Sequence, residues 1–214
     1  MPSDHVAMTL PRAPAARGLQ RRDELLAQLR ELFLAEGFAD FSLSDLAERL
    51  RCSKTTLYLA APSKEQIVVS TVRSYFRTAA RNIETRLTAA GGADVRLAVY
   101  LDAVASELQP ASARFYADVA AFAPARDVYQ ENTQYAVQRV QSLVTEGVEA
   151  GVLRPVNASF VGAAVAQVMT AIQTGAIQSA TGLDDATAYR QLSDLVMTSL
   201  TQRQPVSRAR KGQR

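Results

Sequence analysis

The residues whose types and spacing can do chemistry in this chain form one short run, Ser53-Lys54-Thr55-Thr56-Leu57-Tyr58, a few residues after a second run that opens at Ser42. Lys54 can donate to guanine O6 and N7 or to a phosphate, and Thr55 can offer a hydroxyl or a methyl to a base edge. Thr56 and Tyr58 can bond phosphate oxygens, contacts that set docking register without reading sequence. Helices starting at Ser42 and Ser53 would add backbone N–H donors and partial positive charge toward a phosphate. The chemistry these side chains suit is recognition of double-stranded DNA rather than turnover of a substrate; the alternative from composition and spacing is a solvated helical hairpin inside a bundle. With one cysteine, Cys52, and one histidine, His5, the 214-residue chain can form no intramolecular disulfide, no His/Cys zinc cage and no Ser/His/Asp or Cys/His constellation of its own. The acidic pairs Glu146 with Glu149 and Asp184 with Asp185 read as a solvated helix face and a helix N-terminus. No catalytic residue, metal ligand or cofactor is expected, and the chain is not read as an enzyme.

Side chains of this kind need elements that hold them outward. From Gln20 to Glu36, Leu25, Leu29 and Leu32 recur at three and four residues with Leu26 and Phe33 beside them, and Gly37 stops that helix. Ser42 opens a second helix with Asp45 three residues on, a capping-box variant, and Leu43, Leu46, Ala47 and Leu50 follow at helical spacing. Ser53 caps a third helix over 54–59, which Pro62 ends. Two short helices across a tight turn, with Ala47 on the inner face and Leu46, Leu50 and Leu57 to lock their crossing, follow helix-turn-helix grammar; the second helix would enter the major groove. Ser63 and Gln66 open a long fourth helix whose apolar side runs from Ile67 to Leu87. Further helical patterns cover 94–108, 112–122, 126–150, 158–178 and 184–202, and nothing alternates with period two over a strand's length. The expectation is an all-α protein of about nine helices, with an N-terminal three-helix helix-turn-helix domain and a larger helical domain behind it.

Charge divides the chain further. Residues 1–78 carry eleven Lys/Arg against nine Asp/Glu, residues 79–202 eight against twelve, and residues 203–214 five against none. Arg12, Arg17, Arg21 and Arg22 crowd one end and are read as able to meet phosphates, while Arg203, Arg208, Arg210, Lys211 and Arg214 crowd the other, read as a solvated, solubilising end with a supplementary phosphate contact as the sharper alternative. The predicted organisation is a disordered basic leader over 1–18, the helix-turn-helix domain over 19–65, the second helical domain over 66–202 and a disordered basic tail over 203–214. The uncharged stretch 155–183 is interrupted by Asn157, Gln167, Thr170 and Gln173, and reads as a packed helix, not a membrane span. One cysteine and no continuous apolar run in the first thirty residues fit a cytoplasmic protein.

The string from Ala27 to Gln66 resembles the N-terminal domain of TetR-family transcriptional repressors. The resemblance rests on four pieces in order: Leu32-Phe33-Leu34-Ala35-Glu36-Gly37-Phe38, Ser42-Leu43-Ser44-Asp45-Leu46-Ala47, Ser53-Lys54-Thr55-Thr56-Leu57-Tyr58, and Ser63-Lys64-Glu65. Residues 146–154, from Glu146 to Arg154, are similar to a turn these proteins often carry. Three departures stand out. Arg51-Cys52 replaces the family's Gly-Val, which implies strain if the turn needs positive φ. Ala60-Ala61 replaces an aromatic or His residue and a Phe, which would weaken affinity and rigidity. Ser44 stands where many relatives carry a DNA-contacting Arg, and the N-terminal arginines would compensate as flexible arms. Cys52 is read as a small buried apolar group, with a redox switch as the sharper alternative.

The candidate DNA-binding residues are therefore Ser42, Ser44, Ser53, Lys54, Thr55, Thr56, Tyr58 and Lys64. The resemblance further implies a ligand-binding and dimerisation role for the C-terminal helices. On that basis Val161, Val165, Val168, Ile172, Leu192, Val196 and Leu200 are the candidate dimer interface, with Gly162, Ala163, Ala166 and Ala171 allowing close approach; the alternative is that these faces close the chain's own core. Tyr100, Phe115, Tyr116, Phe122, Tyr129, Tyr135, Met169 and Gln173 are the candidate effector-binding residues, aromatic walls with polar handles, though the same composition also suits an ordinary core, the reading favoured at any one of these positions. The function implied is a ligand-responsive repressor that binds a palindromic or near-palindromic operator as a homodimer and is released by a small, mostly apolar effector. The expected partners are thus a double-stranded DNA operator, a second copy and an unidentified effector, with no membrane. The alternative is a helical interaction module whose DNA-binding head is weakened and non-specific.

Overall fold

The structure, a computed structural model, describes residues 14–201. In chain order the helices are α1 (Pro14–Glu36), α2 (Leu43–Arg49), α3 (Lys54–Leu57), α4 (Lys64–Ala89), α5 (Ala93–Leu108), α6 (Ala113–Ala121), α7 (Ala123–Glu149), α8 (Ala158–Gln173), α9 (Ala176–Thr181) and α10 (Asp185–Leu200). No strand occurs among the described residues; one isolated antiparallel bridge joins Leu153 to Thr201. The all-α expectation holds, with ten helices in place of about nine. Gly175 at φ +74°, a conformation open to glycine without strain, breaks the predicted 158–178 helix into α8 and α9. Pro124 does not block α7 but sits in its first turn, where its missing N–H costs nothing. α1 starts at Pro14, inside the segment expected to be a leader, while residues 1–13 and the whole basic tail lie outside the described residues.

Side-chain caps start most of these helices. Ser42 forms the full capping box with Asp45, its N–H donating to Asp45 Oδ2 at 2.7 Å while Asp45 N donates to Ser42 Oγ at 3.2 Å. Ser53, Ser63, Ser112, Asn157 and Asp184 each accept a first-turn N–H, contacts typically worth about 1 kcal/mol apiece. Leu25, Leu29 and Phe33 of α1 join Ile67, Val68 and Val72 of α4 in one buried cluster that continues through α5 to α8 and α10. That cluster makes α4 the beam between the N-terminal helices and the rest.

In the C-terminal helices, most of the expected interface stripe packs against the chain's own core. Val165, Ile172, Leu192, Val196 and Leu200 are buried within the single chain and Val161 is half-buried against the same core. Their stripe closes the protomer. Gly162 allows close approach as expected, but to α7: a Cβ there would stand 3.0 Å from the Val137 carbonyl oxygen. The large apolar side chains left outside on α8 and α10 are Phe160, Leu195 and Val168, at 72%, 67% and 36% exposure. No helix among the described residues is long and apolar enough to cross a membrane.

Candidate nucleic-acid interface

Leu46 of α2 and Leu57 of α3 are completely buried, and together they fix the crossing of the two short helices. Burial on this scale contributes roughly 1.5–3 kcal/mol per side chain. With Leu57 turned inward, Lys54, Thr55 and Tyr58 face outward, and no carboxylate stands on α3. Ser42 and Ser44 at the start of α2 are likewise exposed. Among the expected site residues, Lys54, Thr55, Tyr58, Ser42, Ser44 and Ser53 therefore share the open surface of the head.

Two others are engaged inside the protein. Thr56 is half-buried, with its hydroxyl 2.8 Å from Ser53 Oγ, so it reinforces the cap of α3. Lys64 is half-buried and donates from Nζ to the Ala39 carbonyl at 3.2 Å, joining α4 to the loop after α1. Of the N-terminal arginines, Arg22 points to the Ala60 carbonyl at 3.5 Å, and Arg12 lies outside the described residues. Ala60 is buried and Ala61 half-buried, so the small residues leave the end of the recognition segment packed against the core.

The turn between α2 and α3 bears out the strain expected of it. Arg51 has φ +48°, the one positive φ outside glycine among the described residues. A residue with a Cβ pays about 1–2 kcal/mol for that region. The turn survives because Cys52 N donates to the Ala47 carbonyl at 2.9 Å and Arg51 N to Glu48 at 3.1 Å. Cys52 is half-buried against the core, and burial pushes its thiol up, away from the reactive thiolate.

A contact with no sequence signal beyond one acidic residue on an apolar helix face ties this head to the rest. Asp118 of α6 is buried and accepts from Phe38 N at 2.6 Å and Ala39 N at 2.9 Å. Arg114, one turn earlier, pairs with Asp40, and Ser112 N donates to the Leu34 carbonyl at 2.8 Å. Gly37 makes room for this latch. It sits at φ +76°, and a Cβ there would lie 2.4 Å from Asp118 Oδ2.

Behind the latch, α6 also borders the cavities of the larger domain. A small cavity of ≈ 60 Å³ is lined by Tyr100, Tyr129, Tyr135, Met169 and Gln173 among others. A second, of ≈ 390 Å³, lies across Tyr129 and Gln173 and is bounded by Tyr116. Six of the eight expected effector residues thus line two adjoining spaces. Phe115 does not: it is buried in the aromatic cluster, edge-on to Tyr75 at 5.7 Å between centroids. Phe122 borders a different cleft, beside Phe38 and Asp118. Both are apolar residues of the α6 region, whose inward side sequence periodicity does not divide between core and cavity. The Tyr129 hydroxyl donates to Gln173 Oε1, closing the partition between the two spaces. The Tyr116 and Tyr189 hydroxyls are buried without a hydrogen bond of normal geometry. Burial, above all, raises the pKa of Tyr100, Tyr116, Tyr129 and Tyr189, so all four stand neutral as donors.

Residues 25–71 match the model of a family described as bacterial regulatory proteins, tetR family. No curated protein matches the sequence. Among solved structures, a TetR transcription regulator from Haloarcula marismortui aligns with TM-score 0.73 and 16% identity, over 86% of this chain and 100% of that one. A Saccharomonospora viridis protein assigned as a transcriptional regulator, in complex with choline, gives 0.72 and 17% over 86% and 100%. Escherichia coli NemR in its reduced form gives 0.70 and 16% over 85% and 97%. At these identities the structural likeness speaks for the fold, while the match over 25–71 covers the helix-turn-helix and the start of α4. Residues 25–71 thus carry the N-terminal domain of the tetR family of bacterial regulatory proteins, within an all-α fold similar to that of TetR regulators.

Proposed function

We propose that the protein is a homodimeric repressor that binds a palindromic or near-palindromic operator and leaves it when a small, mostly apolar effector binds. The observation that carries this reading is the outer face of α3: Lys54, Thr55 and Tyr58 are exposed, free of carboxylates, and mounted on the buried Leu46–Leu57 crossing. Lys54 and Thr55 read base edges. Tyr58, Ser42, Ser44 and the N–H groups behind Ser53 hold phosphates, while Thr56 and Lys64 keep the head in shape.

One short helix per protomer supplies too few contacts for an operator, so a two-fold partner is needed. Phe160, Val168 and Leu195 are the large apolar side chains of α8 and α10 that remain available for it. The effector occupies the spaces on either side of the Tyr129–Gln173 partition, with the Tyr116 hydroxyl as a polar handle. A small ligand in the Saccharomonospora viridis protein, choline, is in keeping with an aromatic-walled site of modest size. Displacing Tyr116 moves α6, and Asp118 and Arg114 on the same helix hold the loop after α1. The ligand need only favour the released state over the DNA-bound one, with a typical coupling of roughly 1–3 kcal/mol.

The test is binding of the purified protein to duplex DNA from upstream of its own gene, against a scrambled duplex, across a salt series. Preference for the first at physiological salt, with a log–log slope for several neutralised phosphates, is expected. Equal, weak binding to both would favour the interaction-module reading. For the assembly, Leu195→Asp is expected to convert a dimer to monomers in sedimentation without unfolding them, because the side chain lies outside the protomer core.

A further inference from the structure

Away from the α3 face and the aromatic cavities, α1 and α4 enclose a polar groove of ≈ 480 Å³. Its walls carry Arg22 and Arg30 from α1 and Arg73, Arg77 and Arg81 from α4, with Asp23 as the one acidic residue lining it. Arg73, Arg77 and Arg81 recur every four residues, so they form one stripe about 12 Å long on α4. None of the five guanidinium groups makes an ion pair among the described residues, although six such pairs form elsewhere. Arg30 donates to Thr78 Oγ1 at 3.2 Å, which leaves most of its fork free. Across an adjoining depression that Arg73 and Arg77 also line stands Glu131 of α7, unpaired with either.

Five like charges in one groove repel each other, and a multiply charged anion would remove that repulsion. Guanidinium forks match phosphate oxygens two at a time, and a concave site concentrates their field. We propose that this groove binds a small polyphosphate, inorganic or carried on a nucleoside, with Arg73, Arg77 and Arg81 along the phosphate chain and Arg30 and Arg22 closing from α1. The groove is a poor fit for the operator backbone: Arg81 lies seventeen residues along α4 from Lys64, about 25 Å from the end that adjoins the reading head. Because α1 belongs to the head and α4 runs on into the larger domain, a polyphosphate bridging them would bias how the head is held.

The probes are inorganic triphosphate and ATP, titrated calorimetrically into the full-length protein at physiological salt. Saturable binding of one equivalent per protomer is expected, weakened at least about tenfold in Arg77→Ala/Arg81→Ala and partly restored in Arg77→Lys/Arg81→Lys. These side chains are exposed, so the variants should keep the wild-type circular dichroism and melting temperature. Binding of both probes would mark the phosphate chain as the recognised part, and binding of ATP alone would add the nucleoside. An unsaturable titration, or an affinity the alanine variant does not change, would overturn the site. So would displacement of triphosphate by duplex DNA together with an equal loss of duplex affinity in the variant, which would make the groove a backbone contact.

Discussion

The reading head and the α5–α10 domain are both helical, yet they expose opposite things. In the head, Leu46 and Leu57 go inward so that Lys54, Thr55 and Tyr58 can face out, and local caps at Ser42 and Ser53 set every orientation. Among α5–α10 the residues with chemical interest, Tyr116, Tyr129 and Gln173, border two adjoining spaces. A surface reader can be specified by a few residues over a short run of chain. An interior space needs helices far apart in sequence to arrive together, as Tyr129 and Gln173 do across forty-four residues.

That contrast can be broken first at Ile172. Ile172→Ala is expected to cost about 2–5 kcal/mol in urea unfolding, as a core truncation does, because the residue closes the protomer. A dimer that dissociates while its monomers keep their stability would return Ile172 to the interface. Next comes Asp118→Asn, which loses a charged acceptor for two backbone N–H groups and should cost roughly 1.5–3 kcal/mol. The informative readout is the ratio of operator affinities with and without effector. A ratio unchanged from wild type would remove α6 as the link between cavity and head.

Lys54→Ala should weaken operator binding by about 1–3 kcal/mol with relaxed preference at one base step if Lys54 reads a base, or weaken all duplexes alike if it holds a phosphate. Thermal unfolding should be unchanged, since the side chain is exposed. The smallest effect is expected from Arg51→Gly. Relief of the φ +48° strain, worth about 1–2 kcal/mol, is offset by about 0.4–1 kcal/mol of added freedom in the unfolded chain. A net gain between zero and about 1.6 kcal/mol in urea melts is the result that would sharpen the comparison; a loss would mean the arginine side chain holds the turn.

Most of the head was legible in the sequence. Ser42 with Asp45, Ser53 before Lys54, and Gly37 after α1 act through hydrogen bonds only three or four residues long, or through the φ of a single residue. The engagement of Thr56 by Ser53 and of Lys64 by the Ala39 carbonyl was not legible, since residue type indicates only that a hydroxyl or an ammonium will find a partner. Asp118 was missed for the same reason: its partners, the N–H groups of Phe38 and Ala39, lie about eighty residues away.

Periodicity marked Val165, Ile172, Leu192, Val196 and Leu200 as one apolar stripe, and the structure agrees that they are one stripe. Whether that stripe meets α5 and α7 of its own chain or a second copy is a property of the packed protomer, which here leaves Phe160 and Leu195 outside instead. The sequence alone determined the helical class, the caps at Ser42, Ser53 and Ser63, the strained Arg51 turn and the outward Lys54 and Thr55 of α3, because each depends on neighbours within a turn or two. The tertiary structure decided the cavity partition, the α6 latch, the arginine groove between α1 and α4 and which apolar side chains remain exposed, because side chains distant along the chain compete for the same buried space.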